Sequence, residues 1–334
     1  MIFALDAMGG DFAPGAVVHG ALEALKSSPT TLKLILVGDE KAILNELPSS
    51  LPPRLSIHHT TQVVTSKDRG ATVIKTKPDS SLVAGIQLVK SKQADGFISA
   101  GSTGAVMATS LLLLGRIPGV RRPAIGAYIP TEKGGKILCD VGANPDVKPY
   151  HLLQFAIMAS HYFSHIEGGG NPRIGLVNIG EEPEKGSDLY QKAHILLKQE
   201  LPNFIGNIEG RHLLDSDANI LVCDGFVGNT LLKFAEGWIH TLSSEIKNRI
   251  GNNALYRLGA LLLLPVLKNM RKQYDYEEHG GTPLLGVNGI SIITHGSAGS
   301  KAIKNSIFVA KKCVDNNLIQ DTKASLSEHL GANL

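Results

Sequence analysis

Short apolar runs that end in glycine-rich turns and pass at once into helix-forming segments recur along this chain. That order restricts it to an α/β fold built on a mostly parallel sheet. Ile2 to Leu5 leads into Asp6-Ala7-Met8-Gly9-Gly10-Asp11 and then an alanine-rich stretch from Ala16 to Lys26. Lys33 to Val37 ends at Gly38, and Ser80 to Lys90 carries Leu82, Ile86 and Val89 at helical spacing. Gly96 to Ser99 passes through Ala100-Gly101-Ser102-Thr103-Gly104 into a helix expected to reach Leu114. Lys136 to Val141 runs into Gly142-Ala143-Asn144-Pro145, and Pro149 suits the first position of the next helix. Arg173 to Asn178 enters the loop 179–186, with Ser187 or Asp188 as helix cap. Asn219 to Cys223 ends at Asp224-Gly225-Phe226-Val227-Gly228-Asn229 before helix resumes. A last strand is expected at Ile290 to Thr294, then His295-Gly296-Ser297 and a helix from Ser300 to Val314.

One stretch departs from this order. Within 240–276, Leu242, Ile246, Ile250, Leu255, Leu258, Leu262 and Val266 fall at helix-like spacing with a break near Gly251-Asn252-Asn253, which reads as a protruding helical hairpin. From Ser243 to Asp275 its basic residues are Lys247, Arg249, Arg257, Lys268, Arg271 and Lys272, against Glu245 and Asp275. The 334 residues exceed the ~100–200 of a usual domain, yet no repeat or low-complexity linker divides them. The expectation is a single unit, 1–334, of closely fused lobes.

Composition removes several classes of function. Thirty-three Lys and Arg against 30 Asp and Glu leave a net charge of +3, too small and dispersed for a dedicated duplex nucleic-acid binder. Hydrophobic residues at 43% and charged residues at 19% exclude a disordered chain. Three cysteines without CxxC spacing form neither a disulfide framework nor a metal or redox pair, which fits a reducing cytoplasm. MIFALDAMGG lacks the basic and apolar regions of a secretory signal. The most apolar run, Leu258 to Leu267, is interrupted by Pro265 and falls far short of the ~20 residues of a membrane-spanning helix.

The turns themselves suggest anion chemistry. Loops at the carboxyl ends of parallel strands are expected to meet in a crevice, where helices begin with free backbone N–H groups. Glycine lets a ligand approach the backbone there. None of the turns is GxGxxG or a P-loop, and Gly296 to Lys301 is too short between its glycines for the latter. No GxSxG elbow supplies a serine nucleophile, and Cys139, Cys223 and Cys313 sit in apolar segments that favour burial. The histidines are scattered, and neither a catalytic metal nor a cofactor is expected.

Taken in order, DAMGGDFAP, SAGSTGA, DVGAN, NIGEEPEKGSDL, CDGFVGN and THGS resemble the loops of the bacterial phosphate acyltransferases, the PlsX family, over nearly the whole chain. The resemblance implies a three-layer αβα fold similar to isocitrate and isopropylmalate dehydrogenases and phosphotransacetylases. It implies transfer of a fatty acyl group from acyl-acyl carrier protein to inorganic phosphate, giving acyl phosphate for phospholipid synthesis. It also implies a homodimer, contact with the inner face of the cell membrane, and the membrane glycerol-3-phosphate acyltransferase (PlsY) as downstream partner. Phosphate is already an ionised nucleophile and a thiol of pKa near ~8.5 is a competent leaving group, so positioning and fixed donors can supply most of the catalysis.

On this reading Lys185, Asn229 and Asp224 are the catalytic candidates. Lys185 would neutralise phosphate or the developing oxyanion, Asn229 would orient phosphate or carbonyl, and Asp224 would orient Lys185 or protonate the leaving thiol. Asp6, Gly9, Gly10, Ser102, Thr103, Gly104, Asn144, Gly228 and His295 form the wider phosphate- and substrate-binding shell. Ser102 stands where the family pattern has asparagine, although serine still donates one hydrogen bond. In the hairpin, Leu258, Leu262 and Leu263 beside Lys268, Arg271 and Lys272 are suited to shallow insertion among anionic lipid head groups, to dimerisation, or to both. A non-catalytic carrier-protein or membrane scaffold is one alternative. An NAD-linked dehydrogenase on the related fold is another, disfavoured by the missing dinucleotide fingerprint.

Overall fold

The computed structural model describes residues 1–330 apart from Pro29, Ser49, Asn252 and Asp275, with side chains described except at His240, Ala254, Leu267, 269–276 and 328–330. The side chains of Arg271 and Lys272, both named in the hairpin expectation, thus lie outside the described residues. The chain opens with β1 (Ile2–Asp6), α1 (Gly15–Lys26), β2 (Lys33–Gly38), α2 (Glu40–Asn45) and β3 (Leu55–His59). It continues through α3 (Val73–Thr76), α4 (Ser81–Lys90), β4 (Gly96–Ser99) and α5 (Thr103–Leu114). The middle holds β5 (Ala124–Thr131), β6 (Gly134–Cys139), α6 (Pro149–Glu167), β7 (Ile174–Asn178), α7 (Asp188–Glu200), β8 (Phe204–Glu209) and β9 (Ile220–Val222). Then come α8 (Gly225–Ile250), α9 (Ala254–Tyr274), α10 (Tyr276–His279), β10 (Thr282–Leu285), β11 (Ile290–Ile293), α11 (Ser300–Asp315) and α12 (Leu318–Leu330).

Among the described residues the strands form one sheet in the order β3-β2-β1-β4-β11-β10-β5-β6-β9-β7-β8. β3, β2, β1, β4 and β11 are mutually parallel, as are β6, β9, β7 and β8. Three antiparallel steps, β11–β10, β10–β5 and β5–β6, separate the two runs. An odd number of reversals points the second run against the first. The glycine turns therefore fall into two sets of loops, one after β1, β4 and β11 and the other after β6, β7 and β9.

Strand side chains alternate between the two faces, and the core follows that alternation. Phe3 and Leu5 of β1, Ile137 and Cys139 of β6, and Ile220 and Val222 of β9 join one buried cluster with α1, α6, α7, α11 and α12. Ala4, Leu138 and Leu221 join the other, with α4 and α5. The sheet thus has helices on both faces. Phe3, Phe97, Phe155 and Tyr162 are among the largest side chains fully buried in it, each contributing roughly 1.5–3 kcal/mol by leaving water.

Several expected boundaries hold because local chemistry sets them. Ser80 caps α4 by accepting from the Val83 N–H at 3.4 Å, and Pro149 is the first residue of α6. Other features depend on partners far away in sequence. β10 lies in what reads as a glycine-rich loop, and its pairing with β5 joins the two halves. α8 starts at Gly225, so the turn Gly225 to Asn229 is itself helical. The break in spacing expected near 251–253 falls between the end of α8 at Ile250 and the start of α9 at Ala254, and α8 begins well before residue 240. Val227, Leu231 and Leu232 pack on the second core cluster, after which Phe234, Trp238, Leu242 and Ile246 are exposed at four-residue spacing. Leu258, Leu262, Leu263 and Lys268 of α9 are exposed as well. Among the described residues no helix is long and apolar enough to cross a membrane.

All three cysteines are free and buried. Burial pushes the Cys313 thiol up to about 12 and holds Cys139 and Cys223 well above the usual thiol range. The folded protein should therefore leave all three unlabelled by a thiol reagent at pH 8, and label all three after unfolding in guanidinium. Labelling of the native protein at any of them would contradict the packing described.

Candidate active site

The first set of loops is tied together by Asp6. Its carboxylate, buried at the end of β1, accepts from the Ser99 hydroxyl at 2.7 Å and the Met8 N–H at 3.2 Å. Ser99 in turn accepts from the Gly101 N–H at 2.9 Å, which locks the β1 turn to the β4 turn. Burial pushes the Asp6 carboxyl up, and its hydrogen bonds, those to Ser81 and Ser99 first, pull it back. Gly9 is buried beside that carboxylate, and Gly10 abuts Ala100 and the Gly296 carbonyl. The Asp11 N–H reaches the Gly296 carbonyl at 2.7 Å, adding the turn after β11 to the same knot. Ser102 is the N-cap residue of α5 without a side-chain capping bond, and Thr103 and Gly104 of the first turn are exposed. The hydroxyls of Ser102 and Thr103 make no hydrogen bond among the described residues, so this helix start presents donors to solvent.

The second set is tied by Asp140, at the end of β6, which is fully buried. Its carboxylate accepts from the N–H groups of Ile125 (3.0 Å), Ala143 (3.2 Å) and Asn144 (2.6 Å), and from the Asn144 side-chain amide at 3.0 Å. Burial pushes this carboxyl up as well, against the pull of those bonds. Asn144 also donates to the Pro123 carbonyl at 2.7 Å, so its amide is committed inside the loop and is not turned toward a ligand. The start of α8 docks here. The Gly225 N–H donates to the Asn144 carbonyl at 2.8 Å, and a Cβ on Gly228 would collide with the Asp140 carbonyl. Only glycine allows that approach.

Asp224 caps α8: one carboxylate oxygen accepts from the Val227 N–H at 2.9 Å, the other from the Tyr190 hydroxyl at 2.7 Å. Burial, then the bond to Asp224, pushes the Tyr190 hydroxyl well above its ordinary range, so it stays a donor. Asn229 lies one turn further on and is exposed, with its side chain over Gly142. Asn178 holds the loop before α7 by donating to the Lys185 carbonyl at 3.1 Å and accepting from the Ile179 N–H at 2.8 Å. The Lys185 stem lies over Gly180, its side chain is exposed, and its ammonium has no partner among the described residues.

α8 connects the two sets. Four residues after Asn229, on the same helix face, Lys233 places its ammonium 3.3 Å from His295 Nε2, while His295 Nδ1 lies 2.7 Å from the Ser297 hydroxyl. The Ser297 N–H also points to His295 Nδ1, at 3.3 Å, so the turn holds the ring from its own side. Lys233 also pairs with Glu236 at 2.7 Å. Four residues of helix, about 6 Å of rise, thus carry the molecule from the Gly142 loop to the His295 loop.

Sequence reasoning missed Asp140, Tyr190 and Lys233. Asp140 stands in DVGAN as Asp6 does in DAMGG, a carboxylate at a strand end, and that parallel was available. Lys233 lies at helical spacing from Asn229. Nothing local signals Tyr190, 34 residues from the aspartate it touches.

The family model for fatty acid synthesis proteins matches residues 1–321. A phosphate acyltransferase of Desulfitobacterium hafniense is 49% identical over 334 residues, 99% of each chain. One of Heliobacterium modesticaldum is 48% identical over 333 residues, 99% of this chain and 98% of that one. Among solved structures, a phosphotransacetylase from Streptococcus pyogenes superposes with a TM-score of 0.63 at 15% identity, covering 94% of each chain, which is a likeness of fold. With near-half identity along almost its whole length, this chain belongs to the fatty acid synthesis protein family and is an enzyme of the phosphate acyltransferase type.

Proposed function

We propose that the enzyme takes a fatty acyl group from the thioester of an acyl carrier protein and passes it to inorganic phosphate, giving acyl phosphate for phospholipid synthesis. One observation carries the reading. The strand-end carboxylates Asp6, Asp140 and Asp224 are all engaged inside their loops, while Lys185, the Asn229 amide and the Ser102 and Thr103 hydroxyls face outward without partners among the described residues. Outward-facing donors of this kind are suited to an anion and to an oxyanion formed from a carbonyl.

In this account a phosphate oxygen attacks the thioester carbonyl carbon and forms a C–O bond. The carbonyl electrons move to oxygen, where Lys185 and Asn229 stabilise them. Collapse breaks the C–S bond and releases the carrier thiolate, which takes a proton from solvent. Gly9, Gly10, Gly104 and Gly228 let the backbone come close, and His295 with Lys233 closes the far side. Asp224 acts through the start of α8, because both of its oxygens are already occupied, and Asn144 acts through the Asp140 loop. Neither a metal nor a cofactor enters these steps.

The same reading extends to α8 and α9 as a helical hairpin on a dehydrogenase-like scaffold. Phe234, Trp238, Leu242 and Ile246 would pair with a second copy, and Leu258, Leu262, Leu263 and Lys268 would meet anionic lipid on the cytoplasmic face of the membrane, near the acyltransferase that uses the product.

Incubation with long-chain acyl carrier protein should release carrier thiol only when phosphate is present, with acyl phosphate trapped as hydroxamate. Absence of both products with folded protein would refute the reading. Lys185→Ala should lower turnover about 10²- to 10³-fold, the usual cost of removing an oxyanion donor. Near-normal turnover would remove Lys185 from the catalytic set. Leu262→Glu with Leu263→Glu should weaken co-sedimentation with anionic vesicles while the oligomeric state is kept; undiminished sedimentation would count against the membrane contact.

A further inference from the structure

The segment 60–80, between β3 and α4, holds four cations and two carboxylates. Both carboxylates are used to fold it. Asp68 accepts from the Thr65 N–H (2.7 Å) and hydroxyl (2.9 Å) and from the Lys77 ammonium (2.7 Å), which hold it at about 2. Asp79 accepts from the Thr61 N–H (2.9 Å) and hydroxyl (2.5 Å). Lys77 also donates to the Val63 carbonyl at 2.7 Å, closing the loop across its base. The remaining cations, Lys67, Arg69 and Lys75, are exposed, and their side chains make no hydrogen bond or ion pair among the described residues.

This loop borders the candidate site. A Cβ on Gly70 would press on the Gly104 carbonyl and the Ala105 backbone, so the loop's short helical part lies directly on the first turn of α5, where Ser102 and Thr103 present their hydroxyls. The chain's net charge is only +3, so a fixed loop with three unpaired cations beside the start of α5 is a local feature and not a share of a general positive field. Held charges of one sign steer an oppositely charged partner and set its register.

We infer that Lys67, Arg69 and Lys75 form the docking face for an acidic carrier protein, placing its thioester arm at the start of α5. This rests on the carrier-thioester reading above. The test uses the full chain with Lys67→Glu, Arg69→Glu and Lys75→Glu combined. The charge-matched comparison is Arg121→Glu, Arg122→Glu and Lys148→Glu, on the exposed basic cluster beside α6.

Binding of fluorescently labelled holo carrier protein is followed by anisotropy at low salt, and turnover is measured with both acyl carrier protein and the small thioester acyl-pantetheine. The first variant should bind carrier about tenfold more weakly or worse and lose the salt dependence seen in the wild type. Its KM for acyl carrier protein should rise by a similar factor, with kcat and turnover of acyl-pantetheine kept, which also shows that it folds. Unchanged carrier binding, an equal loss in the comparison variant, or loss of anionic-vesicle binding in place of carrier binding would each overturn the assignment. Wild-type protein that binds carrier through these residues but never transfers acyl to phosphate would uphold the docking face and refute the acyltransfer reading.

Discussion

Buried strand-end carboxylates that accept from the backbone N–H groups of their own loops are the interaction on which the site depends. Asp6 binds the turns after β1 and β4 into one body, and Asp140 gathers four donors from Ile125, Ala143 and Asn144. Each ion sits where burial opposes its charge. Hydrogen bonds to a charged group contribute roughly 1.5–3 kcal/mol, and losing the acceptor would strand several buried N–H groups at a further ~1–3 kcal/mol each. The loops are therefore held in one shape before any ligand arrives. Anionic substrates need that, because flexible donors would have to be ordered during the reaction.

The second constraint is the reversal of the sheet. Two parallel runs point in opposite directions, so their glycine turns form two distinct sets, and three antiparallel pairings at the centre impose it. α8 links the two sets. Its start is fixed by Asp224, Tyr190 and the contact of Gly228 with Asp140, and one turn later Lys233 meets His295. A helix pinned so firmly at one end can also carry an exposed apolar stripe outward without disturbing the site.

Much of the fold was legible in the sequence wherever a buried parallel strand ends in glycine and a helix follows. β1, β4, β6, β7, β9 and β11 all announce themselves this way. β10 does not, because Thr282 to Leu285 is short, contains Pro283 and sits among glycines, and its role comes from pairing with β5 some 160 residues earlier. The direction of the second half followed from that pairing and was hidden with it. At the site, the order of the loop motifs identified the family, and it brought Lys185, Asn229, Asp224 and His295 to attention. It did not show how each is engaged. Asn144 looked like a ligand donor and is held by Asp140 and Pro123, whereas Asp224 looked like an acid and is a helix cap bonded to Tyr190. Those partners lie on other elements, and only the folded arrangement supplies them.

The central claim is that fixed donors suffice because phosphate itself attacks the thioester. The most direct measurement is rapid mixing of the enzyme with acyl carrier protein in the absence of phosphate, following free thiol and the intact protein mass together. The account predicts no burst of thiol and no acylated protein, with thiol release beginning only when phosphate is added. A burst stoichiometric with enzyme, accompanied by a mass increase of one acyl group, would show a covalent intermediate and contradict it.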